Sequence, residues 1–161
     1  MAELIVLGFK NTTTADEAIA DLEQMQREKL IVLDDWARAI RREDGKLDVR
    51  QASNTAKSGA LGGGFWGLLF GLLFLVPVAG LAIGAVIGAL SGKLIDLGID
   101  DAFIKNLGEQ ITPGTSALFL YVAEAKSDQV IERMRKFEPQ VLQTTLSLEA
   151  QEKLRQELQG A

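Results

Sequence analysis

Residues 117–146 read ALFLYVAEAKSDQVIERMRKFEPQVLQTTL, and this stretch decides the fold because its pattern occurs twice in the chain. Ala117 to Val122 is an apolar run with the composition of a buried strand. Ser127 reads as a helix N-cap, and Val130, Ile131, Met134 and Phe137 recur at the spacing of one helical stripe. Pro139 ends that helix, and Val141 to Leu146 forms a last strand. A constant shift of 112 positions carries Ile5 to Phe9 onto Ala117 to Tyr121 and Leu30 onto Leu142. It also carries Ala18, Ile19, Leu22 and Met25 onto the second stripe. A gapless match of strand, helix and strand predicts two βαβ halves packed side by side. The expected fold is therefore α+β and ferredoxin-like (split βαβ), with four antiparallel strands and both helices on one face.

The first half opens with the strand Glu3 to Phe9 (ELIVLGF), followed by Thr14-Ala15-Asp16-Glu17 in the form of a capping box. Its helix is expected to end near Lys29, and Leu30 to Leu33 starts a second, long strand. Asp44-Gly45 signals a two-residue I′ turn that folds this strand back, pairing Glu43 with Lys46, Arg41 with Asp48 and Ile40 with Val49. The result is an extra hairpin strand. Gln51 to Lys57 is a polar linker. Further on, Asp100 reads as the cap of a helix that reaches about Gln110, with an Ile99 to Ile104 staple. Thr112-Pro113-Gly114 turns the chain into the second half, and Ser147 caps a last helix carrying Leu154 and Leu158 on one side.

Between the halves lie 35 consecutive residues without a charge, Ser58 to Gly92. Two glycine series run through them at four-residue spacing: Gly63, Gly67 and Gly71, then Gly80, Gly84, Gly88 and Gly92. Four residues is close to one helical turn, so each series bares one helix face. Glycine in a helix costs about 1 kcal/mol relative to alanine in water. Close backbone approach repays that cost, above all in lipid, where small faces rather than hydrophobic drive bring helices together. Pro77 divides the run into a helical hairpin, about Ala60 to Val76 and about Val78 to Leu94. Each arm has roughly 16 uncharged residues, or about 24 Å, short of the ~30 Å hydrocarbon core. The tip, Leu72 to Ala79, is apolar and excludes water. Three settings suit it: a bilayer that it spans or re-enters, the interior of an oligomer, or the core of a soluble domain. Trp66 is open to two readings, an interfacial anchor at headgroup level or core packing. Lys57 and Lys93 flank the run at the expected membrane interface, and the tip has no Lys or Arg. The positive-inside rule then predicts cytoplasmic termini, in keeping with a start (MAELIVLGFKN) unlike a signal peptide.

Composition narrows the chemistry. Lys plus Arg is 17 against 22 for Asp plus Glu, a net charge of −5, so nucleic acid is not an expected partner. Cysteine and histidine are both absent, which removes thiolate chemistry and the commonest general base and metal ligand. The adjacent carboxylates Asp34-Asp35 fall on a strand and point to opposite faces, while Asp100-Asp101 is placed for capping. Gly62-Gly63-Gly64 lacks the GK[ST] of a phosphate loop. Trp36, beside Arg38 on an alternating strand, reads as cross-strand packing. No catalytic residue, cofactor or metal is expected.

ELIVLGF, the DGK turn at Asp44 to Lys46, the glycine series, TPGTSALFLYV and FEPQVLQTTLS together resemble a bacterial family of unknown function, DUF1269-like and described as predicted membrane proteins. The resemblance implies a ferredoxin-like domain interrupted by a glycine-zipper hairpin, and no catalytic residues. The expected organisation is a first half-domain at 1–57, the hairpin at 58–94, and the second half with a C-terminal helix at 95–161. Two functions follow as expectations. One is a non-enzymatic, membrane-associated homo-oligomer at the cytoplasmic face of a bacterial inner membrane, its hairpins packed against each other and lipid in a structural or pore role. The other is a soluble oligomeric small-ligand or regulatory domain with the hairpin buried in the oligomer. The hairpin is also expected to be separable, so that a chain lacking Ser58 to Gly92 still folds.

Overall fold

The structure, a computed structural model, describes residues 3–52, 66, 69–71, 73 and 98–159. The strands are β1 (Glu3–Phe9), β2 (Ile31–Arg41), β3 (Leu47–Gln51), β4 (Thr115–Ala125) and β5 (Gln140–Thr144). The helices are α1 (Thr14–Arg27), α2 (Asp101–Gln110), α3 (Ser127–Met134) and α4 (Leu148–Leu158), and a short 3₁₀ turn, Arg135–Phe137, extends α3. All strand pairs are antiparallel, in the order β3-β2-β4-β1-β5. The chain is thus α+β around a five-stranded antiparallel sheet.

The repeat is visible in the pairing itself. β1 and β4 are the paired inner strands, Val6 opposite Phe119 and Leu7 opposite Leu118, so equivalent positions of the two repeats cross near one point. β1 takes β5 as its other neighbour, and β4 takes β2. Exchanging the repeats leaves the order of these four strands unchanged, with β3 added at one edge. Both predicted stripes lie in one cluster on one face of the sheet: Ala18, Ile19, Leu22 and Met25 of α1 with Val130, Ile131 and Met134 of α3, and Phe137 packed beside them. Leu7, Phe9, Leu118 and Leu120 supply the sheet side of that cluster. The alternate residues Leu4, Val6, Ala117 and Phe119 face the other way, into a second core. Burial on both faces is why ELIVLGF and ALFLYV read as continuous apolar runs rather than alternating ones.

Several local expectations are corrected. The hairpin is slipped by one residue, pairing Arg41 with Leu47, Ile40 with Asp48 and Ala39 with Val49. Arg42 N–H donates to the Lys46 carbonyl at 2.8 Å and Gly45 has φ +88°, the geometry of a three-residue loop with a glycine bulge. Asp48 thereby lies 3.5 Å from both Arg38 and Arg42. The start of α1 is held not by a Thr14 cap but by Asn11, whose Oδ1 accepts from the N–H groups of Thr13 and Thr14 at 3.0 and 2.8 Å. Ser127 is the first residue of α3 rather than its cap, which is Lys126 and forms no side-chain cap bond. The caps at Asp100 and Ser147 are as expected, accepting from Phe103 N–H at 2.9 Å and Ala150 N–H at 3.2 Å. Beside a register irregularity in β2, buried Asp35 accepts from Trp36 N–H at 2.9 Å, which satisfies that backbone donor. Asp34 is exposed, so the two carboxylates part company as the strand period requires.

Candidate functional site

The second core is built on the face of the sheet opposite α1 and α3, and part of its cover comes from the glycine-rich stretch. Residues 66, 69, 70, 71 and 73 are helical. Trp66, Leu69, Phe70 and Leu73, at the i, i+3, i+4, i+7 spacing of one helix face, are all buried against the sheet. Phe103, Ile104, Leu107 and Ile111, from α2 and its C-terminal end, pack into the same layer. Phe119 at the centre of β4 is fully buried and receives both aromatic rings edge-on, Phe70 at 4.9 Å and 73° and Trp66 at 6.2 Å and 82° between centroids and planes. Trp66 and Phe70 stack on each other at 5.9 Å. These are the preferred aromatic geometries. Of the two readings open for Trp66, core packing matches its surroundings, since the residue is only 2% exposed.

Gly71 has the opposite aspect. It is exposed, and a Cβ built on it would meet nothing within 4 Å. One side of this helical stretch is therefore occupied by the sheet, and the side carrying Gly71 is open. The remaining predicted positions, Gly63, Gly67, Pro77, Gly80, Gly84, Gly88, Gly92, Lys57 and Lys93, lie outside the described residues. Among the described residues no helix is long and apolar enough to cross a membrane, and no group of acidic side chains is arranged to hold a metal ion.

On the other face, sequence reading gives no hint of a second feature. A cavity of about 380 Å³ lies between the sheet and helices α3 and α4. Its deep wall is Leu7, Leu22, Leu120, Ile131 and Met134, and α4 closes it with Ala150, Leu154 and Leu158. α4 is fastened at two points: Arg155 Nη2 donates to the Val141 carbonyl at 3.0 Å, and Arg135 Nε donates to the Glu157 carbonyl at 2.8 Å.

The clearest electrostatic perturbation lies outside both places. Arg133 of α3 donates to Asp21 of α1 at 2.7 Å and to both Glu28 oxygens at 3.0 Å. The hydrogen bond from Arg133, with a smaller one from Gln24, holds the Glu28 carboxyl below its ordinary value. Asp21 and then Glu28 raise the pKa of the guanidinium in turn. This cluster joins the two helices of the repeat.

What these features define is an α+β protein whose five-stranded sheet is clad on both faces, one cladding layer drawn in part from a glycine-rich helical stretch. The chain belongs to the family of proteins of unknown function DUF1269, whose family model matches residues 60–159, from the glycine-rich stretch through α4. No curated protein and no solved structure matches it.

Proposed function

We propose that this is a non-enzymatic, self-assembling protein in which a ferredoxin-like domain presents a glycine-zipper hairpin for association with further copies at the cytoplasmic face of a bacterial membrane. The ferredoxin-like reading rests on the strand order and on α1 and α3 sharing one face. One observation carries the assembly reading: Trp66, Leu69, Phe70 and Leu73 are taken up by the sheet while Gly71 is open to its surroundings. An exposed helical glycine weakens a helix by about 1 kcal/mol relative to alanine. Contact between helices through the glycine face offsets that loss.

The test is Gly71→Leu. No atom of the domain obstructs a side chain there, so the fold is expected to survive while larger assemblies, measured by size in detergent and without it, are lost. Unchanged assembly in Gly71→Leu and in a Gly84→Leu/Gly88→Leu variant would sink the proposal. Retention of the wild-type protein in carbonate-washed membranes, with release only by detergent, is the expected result for the membrane setting. The second reading, a soluble ligand-binding or regulatory domain, is favoured by the cavity beneath α4 and predicts release by carbonate alone.

A further inference from the structure

The cavity beneath α4 has walls and a mouth of different chemistry. Inside, Ile5, Leu7, Leu22, Leu120, Ile131 and Met134 offer hydrocarbon and a thioether. At the mouth stand Glu3, Glu124, Asp128 and Glu157, four carboxylates against the single ammonium of Lys153. Lys153 is itself set against Glu157, 4.0 Å away one helical turn on. Glu3 is positioned by Thr145, whose hydroxyl donates to its carboxylate and accepts from the Leu4 N–H, while the Thr145 N–H donates to the Leu4 carbonyl. A hydrogen bond of this kind fixes the place of the carboxylate.

We propose that this cavity binds a small amphiphilic cation, an ammonium head on a hydrocarbon body, with the body between β1, β4 and α3 and the head among the mouth carboxylates. The volume, about 380 Å³, falls at the small end of the range for ligand pockets, roughly 300–1,000 Å³, and is far too small a surface for a protein partner. Water in such a pocket has few polar partners and is readily displaced by an apolar group. The sign of the head follows from the rim: a carboxylate or phosphate would meet four like charges, and the one cation present is already beside Glu157. Complementary charge at the mouth also raises the encounter rate of a cation and discriminates against an anion of the same length. The inference is independent of the glycine face, which lies in the layer on the opposite side of the sheet.

Titration of the full-length protein with decyltrimethylammonium and with decanoate, both below micelle formation, tests it by calorimetry. The expected result is saturable one-to-one binding of the cation, at least tenfold tighter than of decanoate, with affinity falling about fourfold for each methylene removed from the chain. Leu154→Trp, which fills the cavity, should abolish binding, and Ala150→Leu does so if the larger change impairs folding. Glu124→Lys/Asp128→Lys should remove or invert the preference for the cation. Equal binding of the two probes overturns the proposal, as does binding that neither cavity-filling variant weakens, since the amphiphile would then be held elsewhere. Absence of saturable binding of either probe overturns it as well.

Discussion

Asp21 and Arg133 stand 112 positions apart, the same interval that relates the two βαβ repeats, and their side chains meet at 2.7 Å. Two equivalent positions of a repeated unit can touch only at the axis that relates the units, so this pair marks where the repeats turn about each other. Unlike residues there make the contact attractive: two aspartates or two arginines would repel. Lys136 adds a second cation 3.7 Å from Asp21. Arg133→Gln should therefore loosen α1 from α3 and lower the melting temperature, and Lys136→Gln should lower it less. Melting in high salt should shrink both differences, because the cluster is open to solvent. Equal melting of Arg133→Gln and wild type at low salt would count against the pair as a brace.

Acid should reveal the same cluster. Glu28 is held below its ordinary value of 4.5, chiefly by Arg133, so the folded chain takes up that proton less readily than the unfolded one. Its contribution is complete above the unfolded value and is lost as pH falls through the lower folded value. Stability measured by urea from pH 6 down to pH 3 should fall less steeply in Arg133→Gln than in wild type. Carboxylate chemical shifts followed by NMR should place the Glu28 midpoint below 4.5 in the wild type and closer to it in the variant.

Gly8 of β1 is a packing position. A Cβ placed there would sit 2.8–2.9 Å from the side chain of Leu142 on the neighbouring strand. Gly8→Ala should destabilise the fold by about 1–3 kcal/mol through overpacking. Gly8→Ala/Leu142→Val should recover part of that loss, a coupling that a double-mutant cycle in urea measures directly. Additive effects would show that the strain lies elsewhere.

Removal of the whole stretch 58–92 is expected to give a different outcome from the one its loop-like position suggests. Loop closure changes by only about 0.6 kcal/mol per doubling of length. Against that, Trp66, Leu69, Phe70 and Leu73 are buried on the sheet, roughly 1.5–3 kcal/mol each and on the order of 6–12 kcal/mol together. A domain's whole net stability is about 5–15 kcal/mol. The shortened chain should therefore bind a hydrophobic dye and melt without cooperativity. In the full chain, Phe70→Ala should cost about 3–5 kcal/mol. A cooperative, dye-free deletion product would overturn this account.

The repeat was legible because both of its strands are buried on two faces and both of its helices carry one stripe, so burial wrote the same pattern twice. The hairpin register was not. Asp44-Gly45 suits both a two-residue turn and the last two positions of a three-residue loop, and only the bonds of Arg42 and Lys46 distinguish them. The seat of Trp66, Leu69, Phe70 and Leu73 was hidden for the opposite reason: its helical spacing is present, but every surrounding residue is apolar or glycine, and no polar face sets the phase. The cavity left no trace in the pattern because it forms where separate stretches meet, β1 and β4 with α3 and α4, and the mixed charges of α4 mask the side on which it closes over the gap.

The strand order also sets a timetable for synthesis. β1 pairs only with β4 and β5, whose residues follow it by more than a hundred positions, so the first strand made is among the last to find neighbours. Until residue 115 emerges, the nascent chain can form α1 and the β2–β3 ribbon, and an isolated two-stranded ribbon is marginal in water. Contacts so distant along the chain are slow to form. Trp66 and Phe70 are thus made before Phe119 exists to receive them. During that interval any other apolar surface competes for those side chains without opposition from the sheet.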